Sequence, residues 1–248
     1  MIDTLSYSVR LGGIRTRQLA LALSLFNSIA LISRTANMLQ APLVGRLVGA
    51  NLSPERHAAL AGSMRMVIAS ATAGTLLGII LIPTFLSLFI KAIKALARRG
   101  SIPAFLFECM APAKLKSVPG SIRLPDRRIL SRLKPEAIPI QLILLNVIIT
   151  AIYTTGVLSA AYAAAIVPPS KSIAASLSSG LVNGIATVLF TILVDPKSAV
   201  ITDQAMRGEI DISVADTLVA YLIGSKLAGT LLAQLIFIPA TWVIAYFV

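Results

Sequence analysis

The sequence predicts an all-α, polytopic membrane protein: a helical bundle of five full spans, with a truncated sixth at the N-terminus. Three observations predict it. Only 13% of the 248 residues are charged, against about 25% in soluble globular chains. Apolar residues make up 56% of the chain. Uncharged runs also persist for more than twenty residues, which leaves those helices no polar face to offer water.

Crossing the hydrocarbon takes about 20 apolar residues. The opening, Met1–Val9, is too short to cross before Arg10 and reads as the remnant of a span. Gln18–Ser33 is uncharged, and so is Thr35–Gly45, so one helix carries Arg34 within or near the membrane. Met66–Ile90 is the next uncharged run; Ser53-Pro54-Glu55 before it has the form of an N-cap with Pro at the first helical position. Ala137–Ser170 is too long for one span, and Pro168-Pro169 must divide it from Ser172–Val194, which closes at Asp195-Pro196. The last span, Thr217–Val248, contains one charge, Lys226. Pro83 and Pro239 lie inside spans and are expected to kink them. Residues 1–248 form a single transmembrane domain on this reading, with residues 91–136 as a basic loop within it.

Net charge is +12. The positive residues sit between apolar runs rather than along an aromatic-studded groove, which argues against nucleic acid as a partner and for topology by the positive-inside rule. Of the 22 Lys and Arg, 16 fall in Arg10–Arg17, Lys91–Lys134 and Asp195–Asp216. That set is therefore expected in the cytoplasm, with both termini outside and six crossings. Arg34, Arg46, Arg56 and Arg65 fall on the other side, against the rule. The 91–136 loop interleaves basic and apolar residues over Ser121–Lys134 and is rich in Pro, a pattern suited either to topology alone or to lying on anionic membrane lipids.

Several chemistries lack their parts. Cys109 and His57 are the only Cys and His, so neither an intrachain disulfide nor a Cys/His metal site of the usual spacing can form. There is no phosphate-binding loop ending in Gly-Lys-Ser/Thr, no convergent acid/base pair in the spans, and no calcium spacing among Asp195, Asp203, Glu209, Asp211 and Asp216. The chain is read as a non-enzyme with no cofactor and no metal.

Candidate functional residues are the polar groups stranded in apolar surroundings, since a charge near the helix centre costs about 2.5–3.5 kcal/mol on insertion scales. Lys226 either snorkels to an interface or faces a polar cavity. Ser33, Arg34, Asn37 and Gln40 form a polar stripe at helical spacing, expected to line an internal cavity with Arg10 and Lys226. Asp3 is a charge partner for Arg34 or Lys226. Asn27, Asn146, Tyr153, Asn183 and Gln234 are weaker markers that more often bond a neighbouring helix. Gly74-xxx-Gly78, Gly180-xxx-Gly184 and Ser225-xxx-Gly229 read as helix-packing motifs.

The blocks IDTLSYSVR at Ile2–Arg10, GIRTR at Gly13–Arg17 and LISRTANMLQAP at Leu31–Pro42 resemble the Amj family, bacterial lipid II flippases that are alternates to MurJ. LVDPK at Leu193–Lys197, ITD at Ile201–Asp203 and LAGTLLAQ at Leu227–Gln234 extend the likeness along the whole chain. The family has further apolar residues before the first block, which this chain lacks. The resemblance implies movement of undecaprenyl-diphosphate-linked peptidoglycan precursor from the inner to the outer leaflet of the bacterial cytoplasmic membrane. It carries over no site residues. Arg34, Arg10 and Lys226 are the cations that physics offers to a diphosphate. Two other readings stand beside it: an ion-coupled transporter of a soluble solute, and a non-transporting scaffold for envelope enzymes. Oligomeric state is not legible.

Overall fold

The structure is a computed structural model that describes residues 2–50, 53–99 and 138–248. The basic segment Ser121–Lys134 and Cys109 lie outside the described residues. The chain folds as α1 (Ile2–Thr16), α2 (Leu19–Gly49), a 3-10 turn (Pro54–Arg56), α3 (His57–Arg99), α4 (Ile140–Ile166), α5 (Pro169–Leu189), a π-helical turn (Phe190–Val194), α6 (Asp195–Arg207) and α7 (Ile212–Phe247). Five helical stretches are long and apolar enough to cross a membrane: Leu19–Gly49, Pro54–Arg98, Ile140–Ile166, Pro169–Arg207 and Ile212–Phe247. These are the five full spans expected from the uncharged runs.

Three expectations about helix ends differ from what forms. Lys91–Arg99, read as the start of the basic loop, continues α3. Arg10–Arg17, read as a loop, is mostly helical: α1 runs on to Thr16. It ends in a Schellman motif, with Arg17 left-handed (φ 55°), Gln18 N–H donating to Gly13 O at 3.0 Å and Arg17 N–H to Ile14 O at 3.2 Å. Asp195–Asp216, also read as a loop, is largely the helix α6, continuous with α5 through the π turn. The Pro168-Pro169 break falls where expected, and Ser172 Oγ donates to Ala164 O at 2.8 Å across it. Ser53 takes the expected cap position before Pro54, but its hydroxyl makes no capping bond. Helices continue through Pro42, Pro83 and Pro239.

The π turn has a packing reason. Ala175 and Ala186 are fully buried on α5, and Val194 is buried at the end of the π turn. Eight positions separate Ala186 from Val194, whereas two α-turns take about 7.2. The wider turn absorbs the surplus residue and keeps the buried stripe on one side.

The chain divides into two compact units, Met1–Ser33 with Leu76–Pro139 and Ser198–Ile223, and Arg34–Thr75 with Ile140–Lys197 and Gly224–Val248. In the first, Val9, Ala22, Leu25 and Ile93 form a core with Phe26 and Phe89 around them. Gly13 lets α1 lie against α2, since a Cβ there would meet the Ala22 Cβ at 2.6 Å. In the second, Val44, Leu60, Met64, Ile68, Leu158, Ala233 and Phe237 form the core. There α4 and α7 run parallel: Asn146 Nδ2 donates to Ser225 Oγ at 2.7 Å, Gly229 abuts Thr150, and Ser159 Oγ donates to Phe237 O at 3.1 Å.

Packing is uneven among the spans. In its most apolar window α4 is 44% buried, but Pro169–Arg207 is only 11% buried. Ile173, Leu177 and Leu181 are 74%, 72% and 68% exposed. A soluble protein rarely shows so continuous an apolar face; hydrocarbon is the solvent that suits it.

Candidate functional site

The polar residues singled out in the sequence fall in both units. Asp3 and Arg10 are on α1 in the first unit; Arg34, Asn37, Gln40 and Lys226 are in the second. Arg10 is 2% exposed, with its guanidinium carbon 5.0 Å from the Phe26 ring centroid. A buried cation over an aromatic face keeps part of its electrostatic stabilisation without water. Arg34 and Asn37 belong to α2, and their side chains, like that of Asp3, lie outside the described residues. Gln40 and Lys226 are half-buried.

The second unit contains an open recess of about 330 Å³ lined by Met38 and Ala41 of α2, Tyr153 and Val157 of α4, and Ser179, Gly180, Asn183, Gly184 and Thr187 of α5. Glycine makes the space: a Cβ at Gly180 or Gly184 would meet nothing within 4 Å among the described residues. The expectation that this pair packs against a helix is therefore not what the described residues show. Asn183 leans instead on Gly156, where a Cβ would lie 2.3 Å from Oδ1. That end of its amide is buried without a hydrogen-bond partner. Thr187 Oγ1 donates to Asn183 O at 2.8 Å. Apart from Tyr153, the polar groups on the recess are neutral hydroxyls and an amide, suited to hydrogen bonding rather than to neutralising charge. Gln40 and Lys226 are not on its lining; Met38 and Ala41 follow Arg34 at i+4 and i+7 on α2.

A second feature of this unit was not singled out in the sequence. Arg65 Nη1 donates to Gln234 O at 3.0 Å, and Gln234 Nε2 donates to Arg65 O at 2.9 Å. The Arg65 guanidinium carbon lies 5.9 Å from the Phe237 ring centroid, and Phe237 is itself stacked on Tyr162 at 5.7 Å. In the sequence Arg65 is the flank of the Met66–Ile90 run and one of the cations that fall against the positive-inside rule, and Gln234 is a weak marker. The signal that joins them is an amide isolated in one apolar span and a cation at the edge of another.

Charges of the first unit pair at the surface. Arg15 meets Asp216 at 3.6 Å, and Arg207 meets both Asp203 and Glu209. Exposed pairs of this kind contribute about 0–1 kcal/mol. Among the described residues no three His, Cys, Asp or Glu gather as a metal site.

Five apolar helices with small-residue contacts, a cation at the edge of one span bonded to a carbonyl of another and set beside an aromatic ring, and a recess walled by glycine define a multi-pass helical membrane protein. Comparison with known proteins gives the family. The family model described as "Amj: Alternate to MurJ" matches residues 1–248. A protein of Bacillus subtilis (strain 168) named "Lipid II flippase Amj" is 40% identical over 246 residues, covering 99% of this chain and 91% of that relative. No solved structure matches the chain. The chain belongs to the Amj family.

Proposed function

We propose that the protein is a lipid II flippase, moving undecaprenyl-diphosphate-linked peptidoglycan precursor from the inner to the outer leaflet of the bacterial cytoplasmic membrane. The observation that carries this reading is the end-to-end match: the family model covers residues 1–248, and the relative of that name is 40% identical across nearly the whole chain. The protein acts as a transporter and not as a catalyst. The structure is compatible with this work. A diphosphate needs cationic donors, and Arg34 and Lys226 of the second unit are the cations we assign to it, with Asn37 and Gln40 beside Arg34 on α2; Arg10, buried beside Phe26 in the first unit, and Asp3 stay outside that assignment. The lipid tail stays in the bilayer while the headgroup passes between helices. The loop 91–136 lies in the cytoplasm and its basic residues rest on anionic lipids.

The test is an accessibility assay for the lipid-linked precursor on the outer leaflet, in cells whose other flippases are removed. Depleting the protein is expected to leave the precursor on the inner leaflet, and Arg34→Ala to reduce its exposure outside. Normal exposure after depletion removes the reading. Gradient-driven uptake of a soluble solute into proteoliposomes would replace it with the ion-coupled alternative.

A further inference from the structure

Arg65, at the edge of one apolar run, reaches a residue in the interior of another. Its partner Gln234 lies within α7, and α7 continues beyond it to Phe247. Trp242 and Tyr246, both exposed on that continuation, are the kind of aromatic residue that sits at the headgroup level. Gln234 precedes Trp242 by eight positions, or about 12 Å of helix. Gln234 therefore lies on the apolar side of that aromatic belt, while Arg65 stands at the edge of the uncharged run Met66–Ile90. A cation beside an apolar face is retained when it meets a partner, water or a ligand. Among the described residues no carboxylate pairs with Arg65; its guanidinium meets the Gln234 carbonyl and the Phe237 ring.

The geometry also says what can reach it. A guanidinium has five N–H donors in a planar fork, and one bond to Gln234 O leaves most of the fork unused. The Gln234 amide donates to the Arg65 backbone carbonyl and so ties α3 to α7, while the guanidinium itself is bounded by the Gln234 backbone carbonyl and the Phe237 ring. A planar fork with free edges suits the oxygens of phosphate. Arg65 is exposed, and its neighbours Met66 and Leu235 are each 73% exposed. Those side chains suit acyl chains, so an anion arriving from that side must be carried on an apolar tail.

We infer that Arg65 binds the diphosphate of a polyprenyl-linked amphiphile entering from the lipid side, with the Gln234 backbone carbonyl holding one edge of its fork. The choice of a polyprenyl diphosphate over another lipid phosphate rests on the flippase reading above.

Binding is measured on the purified full-length chain in maltoside micelles, which contain no phosphate. The fluorescence of Trp242, the only tryptophan, is the readout. The probes are undecaprenyl diphosphate, undecaprenol, phosphatidylglycerol and inorganic pyrophosphate. The diphosphate is expected to bind about tenfold or more tightly than the neutral alcohol. Arg65→Gln should abolish that preference and leave undecaprenol binding unchanged. Arg65→Lys keeps the charge, loses the fork, and should weaken diphosphate binding by about threefold or more. If Arg65→Gln does not fold, Arg65→Lys decides: undiminished binding overturns the inference. Wild-type affinity in Arg65→Gln, equal binding of phosphatidylglycerol, or equal competition by pyrophosphate also overturns it. Intact Arg65-dependent binding with no precursor flipping in cells removes the flippase reading alone. Normal flipping with Arg65-independent binding removes this inference alone.

Discussion

On α7, Ser225 and Gly229 sit one turn apart, and on α5 so do Gly180 and Gly184. The α7 pair is filled by a neighbour: a Cβ at Gly229 would come within 2.6 Å of the Thr150 Cβ and 2.7 Å of Val147 O, and Ser225 accepts from Asn146. The α5 pair opens on the recess, with nothing within 4 Å among the described residues. Helices in lipid gain little hydrophobic energy from associating, so close backbone approach is what joins them. The contrast teaches that the same spacing serves as a joint on one helix and as a wall on another. Stability and transport should therefore separate between the two sites.

The largest expected effect is at the joint. Gly229→Leu must push α4 and α7 apart and should destabilise the protein by about 3 kcal/mol or more in a thermal melt in detergent. Gly180→Leu has room and should leave the melting point near wild type, while reducing outer-leaflet precursor exposure. A Gly180→Leu protein as unstable as Gly229→Leu would erase the distinction. Next in size is Gly156→Ala, which collides with the Asn183 amide. It should cost about 1–3 kcal/mol, and a double-mutant cycle with Asn183→Ala should recover part of that cost. Ser225→Ala removes the bond from Asn146 and should cost about 0.6 kcal/mol, the average for such bonds between membrane helices. The smallest effect is at two helix ends that share the Schellman motif. Gly208 provides the left-handed residue after α6 (φ 77°), whereas Arg17 provides it after α1. Arg17→Gly should stabilise by about 0.5 kcal/mol or less, because relief of the left-handed strain on a residue with a Cβ is partly offset by the greater conformational freedom glycine loses on folding. No gain in the melt would mean that Arg17 makes contacts that offset the strain.

Much of the fold was legible because hydrocarbon imposes a length on every span. The uncharged run Met66–Ile90 falls within α3, the last span, with its single charge Lys226, matches α7 to within one residue at its C-terminus, and Pro168-Pro169 marks a real break. Arg10 misled because a single charge was read as the end of an apolar segment. In the fold Phe26 covers its guanidinium and α1 continues, so packing outweighs the local charge. The site was less legible. Periodicity places Arg34, Asn37 and Gln40 near one face of α2, but it cannot say which faces of different helices meet. Arg65 and Gln234 are 169 positions apart, and only the fold joins them. The two glycine motifs look alike as strings, since what distinguishes them is the neighbour, which neither string contains.

The π turn at Phe190–Val194 has a consequence for how this rod tolerates a change of length. It behaves as a single-residue insertion stored in the chain. Deleting Thr191 would leave Ala186 and Val194 seven positions apart, close to two regular α-turns, so the helix can close without rotating its buried side away from its neighbours. The same deletion at Leu177, between Ala175 and Ala186, has no such slack and would turn one part of that stripe toward lipid. A thermal melt of the two deletions should find the first close to wild type and the second much weakened. Equal losses would mean that the wide turn is needed for something other than register.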